Sequence, residues 1–234
     1  MKKGATLYLI PIPIAEDALH TLSKEISTVT LEVTHFFVEH IRTARRFLKA
    51  LHPEIVIDDL HFSEIDKKRG ADLNTFNEWV KAGHSIGVMS ESGCPGIADP
   101  GAELVYKAQE LDIAIYPLTG PNSIILSLMA SGLDGQRFAF NGYLPIKDPE
   151  RSKSIKHYEQ LSAKEKQTQI FIETPYRNNA LLDELFKKCN PNTKLCIAQD
   201  ITGKAAYNKT KTIKAWQKNK PELEKLPTVF LFLA

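Results

Sequence analysis

The sequence predicts two α/β domains in tandem, an N-terminal one on a mostly parallel sheet and a C-terminal one on a mixed sheet, divided as 1–117 and 118–234. Three observations carry this expectation. Through the first half, short apolar runs alternate with stretches of helical periodicity, the rhythm of a parallel sheet covered by helices. After Gly132 the character changes to aromatic, strand-like runs separated by charged helical segments. Each part then has an ordinary domain size. With 234 residues, 43% hydrophobic and 25% charged, the chain can bury one large core or two modest ones. Disordered, collagen-like and disulfide-rich classes do not fit this composition.

In order, Thr6–Ile12 reads as a first strand, and a polar amphipathic stretch, Asp17–Lys24, follows. His35–Val38 is a short strand, after which Ile41, Ala44, Phe47, Leu48 and Leu51 recur at helical spacing. Ile55–Leu60 reads as the next strand. Leu73, Phe76, Trp79 and Val80 mark a helix that Gly83 ends. Ser85–Met89 has a buried-strand pattern, Ala102–Leu111 a helical one, and Ile113–Tyr116 that of a strand. Pro121 opens a helix over Asn122–Ser131, where its missing N–H costs least. In the second half, Phe138–Tyr143, Gln169–Ile172, Lys194–Gln199 and Thr228–Leu233 read as strands. Pro149–Leu161 and Asn178–Lys188 read as helices, and polar Thr202–Lys218, with its turn-forming Gly203, has room for a hairpin strand.

Several classes are excluded. Lys2 and Lys3 precede the apolar run Leu7–Ile14 as in a secretion signal, but Pro11 and Pro13 interrupt it and Glu16 and Asp17 follow. No apolar run approaches the roughly 20 residues of a membrane span. Cys94, Cys189 and Cys196 have no metal-ligand spacing, which fits reduced thiols in a cytoplasmic protein and no metal. Charge is polarised: Tyr143 to Ala234 holds 17 basic and 10 acidic residues, the rest 13 and 18. A basic second half fits an anionic partner or a plain solvated lysine surface.

Ligands bind open parallel sheets where strands end and the chain turns into helices. The loop Ser90–Gly101, SESGCPGIADPG, lies at such a place. Its glycines let backbone approach a ligand and expose N–H donors, and its prolines hold one shape before binding. Asp99 and Pro100 read more simply as the cap and first residue of the next helix. A second loop, Leu118–Ser123, opens a helix whose first N–H groups face the same way, or is only a helix start.

Together these loops resemble the tetrapyrrole methylase family, the class III S-adenosylmethionine-dependent methyltransferases. The similarity is greatest to the branch that 2′-O-methylates a cytidine ribose in small-subunit ribosomal RNA. That branch's S-D-A-G-T-P-G-I-S-D-P-G is matched by Ser90–Gly101, its P-G-P-S-A by Thr119–Ile124, its F-x-F-x-G-F-L-P by Phe138–Pro145, and its E-S-P-H-R by Glu173–Arg177. LYLIPIPI resembles the first strand and its P-T-P-I-G-N loop. The chain departs at Ala15-Glu16 for Gly-Asn, at Val38–Arg42 for A-E-D-T-R, at Ala198–Thr202 for A-R-E-L-T, and at Glu91 for Asp.

The resemblance implies an active cleft between the two domains with a folded S-adenosylmethionine in it. It implies cofactor contacts at Ser90, Glu91, Gly93, Cys94, Ser123 and Ile124, with Pro11 and Pro13 lining the floor. A ribose hydroxyl needs its proton taken, and Glu173, Glu39 and Asp200 are candidate bases; Arg42 and Arg177 are candidate phosphate or orienting contacts. Each has a structural alternative: a Glu173–Arg177 salt bridge, a Glu39–Arg42 pair at helical spacing, a turn at Asp200. Lys147, Arg151, Lys153 and Lys156 fit an RNA backbone or a solvated helix face. The family also implies a homodimer and the small ribosomal subunit as partner. Two other readings stand beside it: a small tetrapyrrole-like acceptor, and a non-catalytic paralogue that binds S-adenosylmethionine.

Overall fold

The computed structural model describes residues 4–234, so the basic pair Lys2 and Lys3 lies outside it. The chain divides into two compact units, Met1–Asn122 and Ser123–Ala234. The first holds five parallel strands, β1 (Thr6–Leu9), β2 (His35–Val38), β3 (His61–Glu64), β4 (Ile86–Met89) and β5 (Ala114–Pro117), in the order β3-β2-β4-β1-β5. Its helices are α1 (Lys24–Glu32), α2 (Ile41–Leu51), α3 (Leu73–Lys81) and α4 (Ala102–Glu110).

Strand alternation explains the two cores of this unit. Phe36 belongs to a cluster with Ile10, Ile26, Leu48 and Met89, while its neighbour Phe37 packs with Leu7, Phe76, Ile86 and Leu104. Successive side chains of β2 point to opposite faces, and both faces are covered. Gly87 fits between them because a Cβ there would come 2.7 Å from both Ile10 and Phe36. At the start of the strands, His35 stacks on His61 and His84 with ring centroids 4.6 and 4.0 Å away. Burial, then His84 and His61, lowers the His35 pKa to about 4.

Two local expectations need correction, at residues 55–60 and at Asp99. Ile55–Leu60 is not a strand: it contains a single 3₁₀ turn, Ile57–Asp59, and pairing with β2 begins at His61. Asp58 and Asp59 break the alternation, and Ile55, Ile57 and Leu60 reach the core from the turn instead. The polar stretch 17–24 contains a 3₁₀ turn, Leu19–Thr21, and ends where α1 begins at Lys24. The β-branched α1 sequence KEISTVTLE has modest propensity but buries Ile26, Val29 and Thr30. Finally, Asp99 does not cap α4. The cap is Gly101, at φ 122°, with no side-chain cap bond.

The second unit holds β6 (Phe138–Tyr143), β7 (Thr168–Glu173), β8 (Lys194–Gln199), β9 (Tyr207–Thr212) and β10 (Thr228–Leu233), in the order β6-β7-β10-β8-β9. β6 and β7 are parallel and the other pairs antiparallel, so the sheet is mixed. α5 (Ser123–Ser131) covers one face, where Ile124 and Leu128 meet Ile170, Cys196, Ala198 and Leu231. α6 (Glu150–Glu165), α7 (Asn178–Lys188) and α8 (Ile213–Lys218) serve the other face, where Ile155, Leu182 and Trp216 pack with Phe171, Ile197 and Phe230. β10, the last strand in chain order, lies in the middle of the sheet. Among the described residues, no helix is long and apolar enough to cross a membrane.

Candidate functional site

In the first unit the geometry is built at the C-terminal ends of β4, β1 and β5, which are adjacent. The chain leaves β1 to reach β2 on one side and leaves β4 to reach β5 on the other. Such a reversal opens a crevice at the strand ends. The loops there are tied together. Ile12 N–H donates to Gly93 O at 3.0 Å, and Gly93 N–H returns a bond to Ile12 O at 3.1 Å. Gly93 sits at φ 72°, and a Cβ on it would lie 3.2 Å from Ile14 Cγ2. Gly120, in the loop after β5, has no room for a Cβ at all, because the Pro11 ring occupies that space. Cys94 Sγ lies 3.4 Å from Pro121 O, and burial raises its thiol pKa.

The structure thus brings Pro11, Gly93 and Cys94 together with Gly120, and Pro13 follows just beyond the Ile12–Gly93 bridge. Ser90 is buried and its hydroxyl donates to Ser92 O at 3.1 Å, so it shapes the loop from within. Glu91 is exposed, and its backbone N–H donates to Glu39 Oε1 at 3.0 Å. Glu39 follows β2, with its side chain 4% exposed and Lys67 Nζ 3.9 Å from Oε2. It lies outside α2, whose cap is His40, and is not paired with Arg42, so the i,i+3 helical pair does not form. Arg42 is exposed on α2.

Sequence reasoning missed Lys67 and the environment of Asp99. Burial raises the Asp99 pKa to about 6, and the carboxylates of Glu39 and then Glu91 add to this while Lys67 opposes it. The signal was present in the dense acidic and glycine pattern of the loop, but a helix-start reading of Asp99-Pro100 concealed it.

In the second unit, Glu173 and Arg177 lie at the end of β7, and Asp200 follows the matching end of β8, across β10. Glu173 ends β7, with its side chain 2% exposed. Its Oε1 accepts from Arg177 Nη2 at 2.6 Å, Arg177 Nε at 2.9 Å and Thr174 N–H at 2.7 Å. Such doubled, charge-assisted bonds fix both groups. Asp200 follows β8 at φ 49°, and its carboxylate accepts from Ala205 N–H at 2.9 Å, the arrangement of a turn residue. Between them Thr228 Oγ1 accepts from Asn178 Nδ2 at 2.9 Å and Gln199 Nε2 at 3.0 Å. Thr228 carried no signal, standing at the head of a plain apolar run. Ser123 and Ile124 begin α5. The Ile124 side chain is in the core, so its backbone is what it offers a ligand. Lys147, Lys153 and Lys156 are exposed around the start of α6, and Arg151 Nε donates to Pro145 O at 3.0 Å. Among the described residues no cluster of His, Cys, Asp or Glu is placed to hold a metal ion.

No protein-family model matches the chain. It is similar to the ribosomal RNA small subunit methyltransferase I of Buchnera aphidicola subsp. Schizaphis graminum, with 31% identity over 223 residues, 93% of this chain and 74% of that protein. The protein of the same name from Synechocystis sp. is 30% identical over 198 residues, 84% of this chain and 67% of its own. Among solved structures, the methyltransferase CobJ superposes with a TM-score of 0.63 at 17% identity, covering 98% of this chain and 94% of that one, a likeness of fold. With a shared fold, and with identity sustained over most of both chains, this protein belongs to the ribosomal RNA small subunit methyltransferase I family.

Proposed function

We propose that this chain transfers a methyl group from S-adenosylmethionine to a ribose 2′-hydroxyl of small-subunit ribosomal RNA. The observation that carries this reading is the paired Ile12–Gly93 bridge, which joins the loops after β1 and β4 into one surface at a sheet switch point. Family membership supplies the chemistry that such a surface serves. The residues fit a preformed cofactor site: Gly120 and Gly93 let Pro11 and Ile14 close directly on backbone, which holds the loops after β1, β4 and β5 in one shape before binding. The bound cofactor supplies a methyl carbon already activated by a positive sulfur.

The chain's own residues bind, orient and take up a proton. Ser90, Glu91, Gly93 and Cys94, with Pro11 and Pro13, are assigned to holding the cofactor, as is the backbone at Ser123 and Ile124. Glu39 is assigned to holding the loop through the Glu91 N–H, and its second oxygen to Lys67. Glu173 is assigned as base. Its three hydrogen bonds all fall on Oε1, which leaves Oε2 for the ribose O2′–H. With S-adenosylmethionine bound, Glu173 would take the hydroxyl proton as the ribose oxygen receives the methyl group, while Arg177 would keep the carboxylate in place. Arg42 is left to a phosphate contact, and Asp200 to shaping its turn.

The test is transfer of labelled methyl from S-adenosylmethionine to small ribosomal subunits from a strain lacking its own enzyme. Label at one alkali-resistant position in the RNA is the expected result. Tight cofactor binding with no transfer would favour a non-catalytic paralogue, label on a tetrapyrrole alone would favour a small acceptor, and absence of binding would overturn all three. The same reading makes the protein cytoplasmic, where its substrate is assembled, and homodimeric. Supporting a dimer, Met129 and Ile125 on α5 are 75% and 43% exposed and border an apolar pocket of about 340 Å³ with Leu133 and Phe138.

A further inference from the structure

Glu173 belongs to a row of side chains that crosses the mixed sheet. The registers set Glu173 opposite Thr228, Thr228 opposite Gln199, and Gln199 opposite Tyr207. Paired residues share a face, so the row runs over three inter-strand spacings, about 14 Å. Its middle is closed by the hydrogen bonds on Thr228. Near each end stands an exposed tyrosine with basic side chains close to it.

Beside Glu173, Tyr176 is 82% exposed, with Lys225 Nζ 5.4 Å from its ring centroid and Arg177 next in sequence. At the far end Tyr207 is 37% exposed and begins β9, the edge strand. Lys209 and Lys211 follow on the same face of that strand. From Ile201 to Pro221 the chain has six lysines and no acidic residue. Lys220 pairs with Asp183 at 2.6 Å, and Lys211 lies 4.4 Å from the Trp216 ring centroid. A plain solvated surface mixes both signs. Lysines that guard an edge against mispairing are needed on the strand alone. Here they continue into α8 as Lys214 and Lys218, four apart and therefore on one helix flank.

We propose that this edge of the second unit receives the single-stranded RNA that flanks the acceptor nucleotide. Bases stack on Tyr176 and Tyr207, and Lys209, Lys211 and Arg177 follow the phosphates. Aromatic platforms interleaved with cations bind single strands in this way with little sequence demand. The inference rests on the proposed RNA methylation and adds where the RNA lies, along the row that runs from Glu173 to Tyr207.

The experiment is anisotropy titration of the full chain with a labelled single-stranded ribosomal RNA fragment, at several salt concentrations, with S-adenosylmethionine binding measured in parallel. For Lys209→Gln/Lys211→Gln we expect at least tenfold weaker RNA binding and a log–log salt slope shallower by about 1.4, roughly 0.7 for each lost phosphate contact. Tyr207→Ala should weaken binding about tenfold with the slope unchanged. Cofactor affinity should stay at the wild-type value in both, which also reports an intact fold. Wild-type RNA affinity and slope in both variants would overturn this surface while leaving the methyltransferase reading standing. A wild-type chain that binds the cofactor but no RNA would overturn both. Loss of binding to phosphatidylserine vesicles, with RNA binding unchanged, would assign the lysines to a membrane instead.

Discussion

Asp99 and His35 respond to acid in opposite directions. The Asp99 pKa rises from 3.8 to about 6, through burial and then the Glu39 and Glu91 charges. Between those values the folded chain therefore holds more protons than the unfolded one, and ionised Asp99 costs stability above about pH 6. Asp99→Asn should raise the thermal midpoint near pH 7.5 by roughly 3 °C, about 1 kcal/mol after solvent screening. The gain should vanish by about pH 4, which midpoints across a pH series will check. His35 runs the other way: with its pKa lowered from 6.5 to about 4, its contribution is present above 6.5 and lost as pH falls to 4. The Asn variant should therefore show a steeper acid limb. At Glu39 the prediction separates anchoring from proton transfer. Glu39→Ala strands the Glu91 N–H, at a cost of about 1–3 kcal/mol, and should weaken cofactor binding about tenfold. Glu39→Gln keeps an acceptor and should restore binding and rate together, whereas a base would restore binding only.

The loops are the elements on which binding depends, and Gly120 is where they meet. A Cβ there collides with Pro11, so Gly120→Ala must push the loops after β1 and β5 apart. We expect loss of S-adenosylmethionine binding by calorimetry with the far-ultraviolet dichroism of the sheets retained. This collision was not legible in the sequence, which shows a Gly-Pro pair but not what faces it. Strands covered on both faces were legible, as at β2, β4 and β10, because their apolar runs are continuous. α1 was not, since its threonines and valine speak against a helix that only burial of Ile26 and Val29 secures. Nor was the true start of β3, because pairing with β2 decides it rather than hydrophobicity. Among candidate site residues, Glu173 and Arg177 were legible as neighbours four apart, and the structure joins them. The Glu39–Glu91 contact spans 52 positions and has no local signature.

At the scale of the whole molecule, α5 is apolar on both sides: Ile124 and Leu128 face the core, while Ile125 and Met129 face outward. If a second copy covers that outer face, Met129→Glu should convert a dimer to a monomer by light scattering while S-adenosylmethionine still binds. A wild-type monomer at micromolar concentration would remove the dimer from the proposal. The central place of β10 has a separate consequence, for biosynthesis. β6-β7 and β8-β9 are two pairs that are joined within the sheet only by β10. A ribosome that has not yet released Thr228–Leu233 therefore displays two ribbons, each with a bare edge where β10 will insert. The first unit can close while translation continues, but the second must wait for its last strand, so a nascent chain stalled short of Thr228 is the form in which this protein most needs a chaperone.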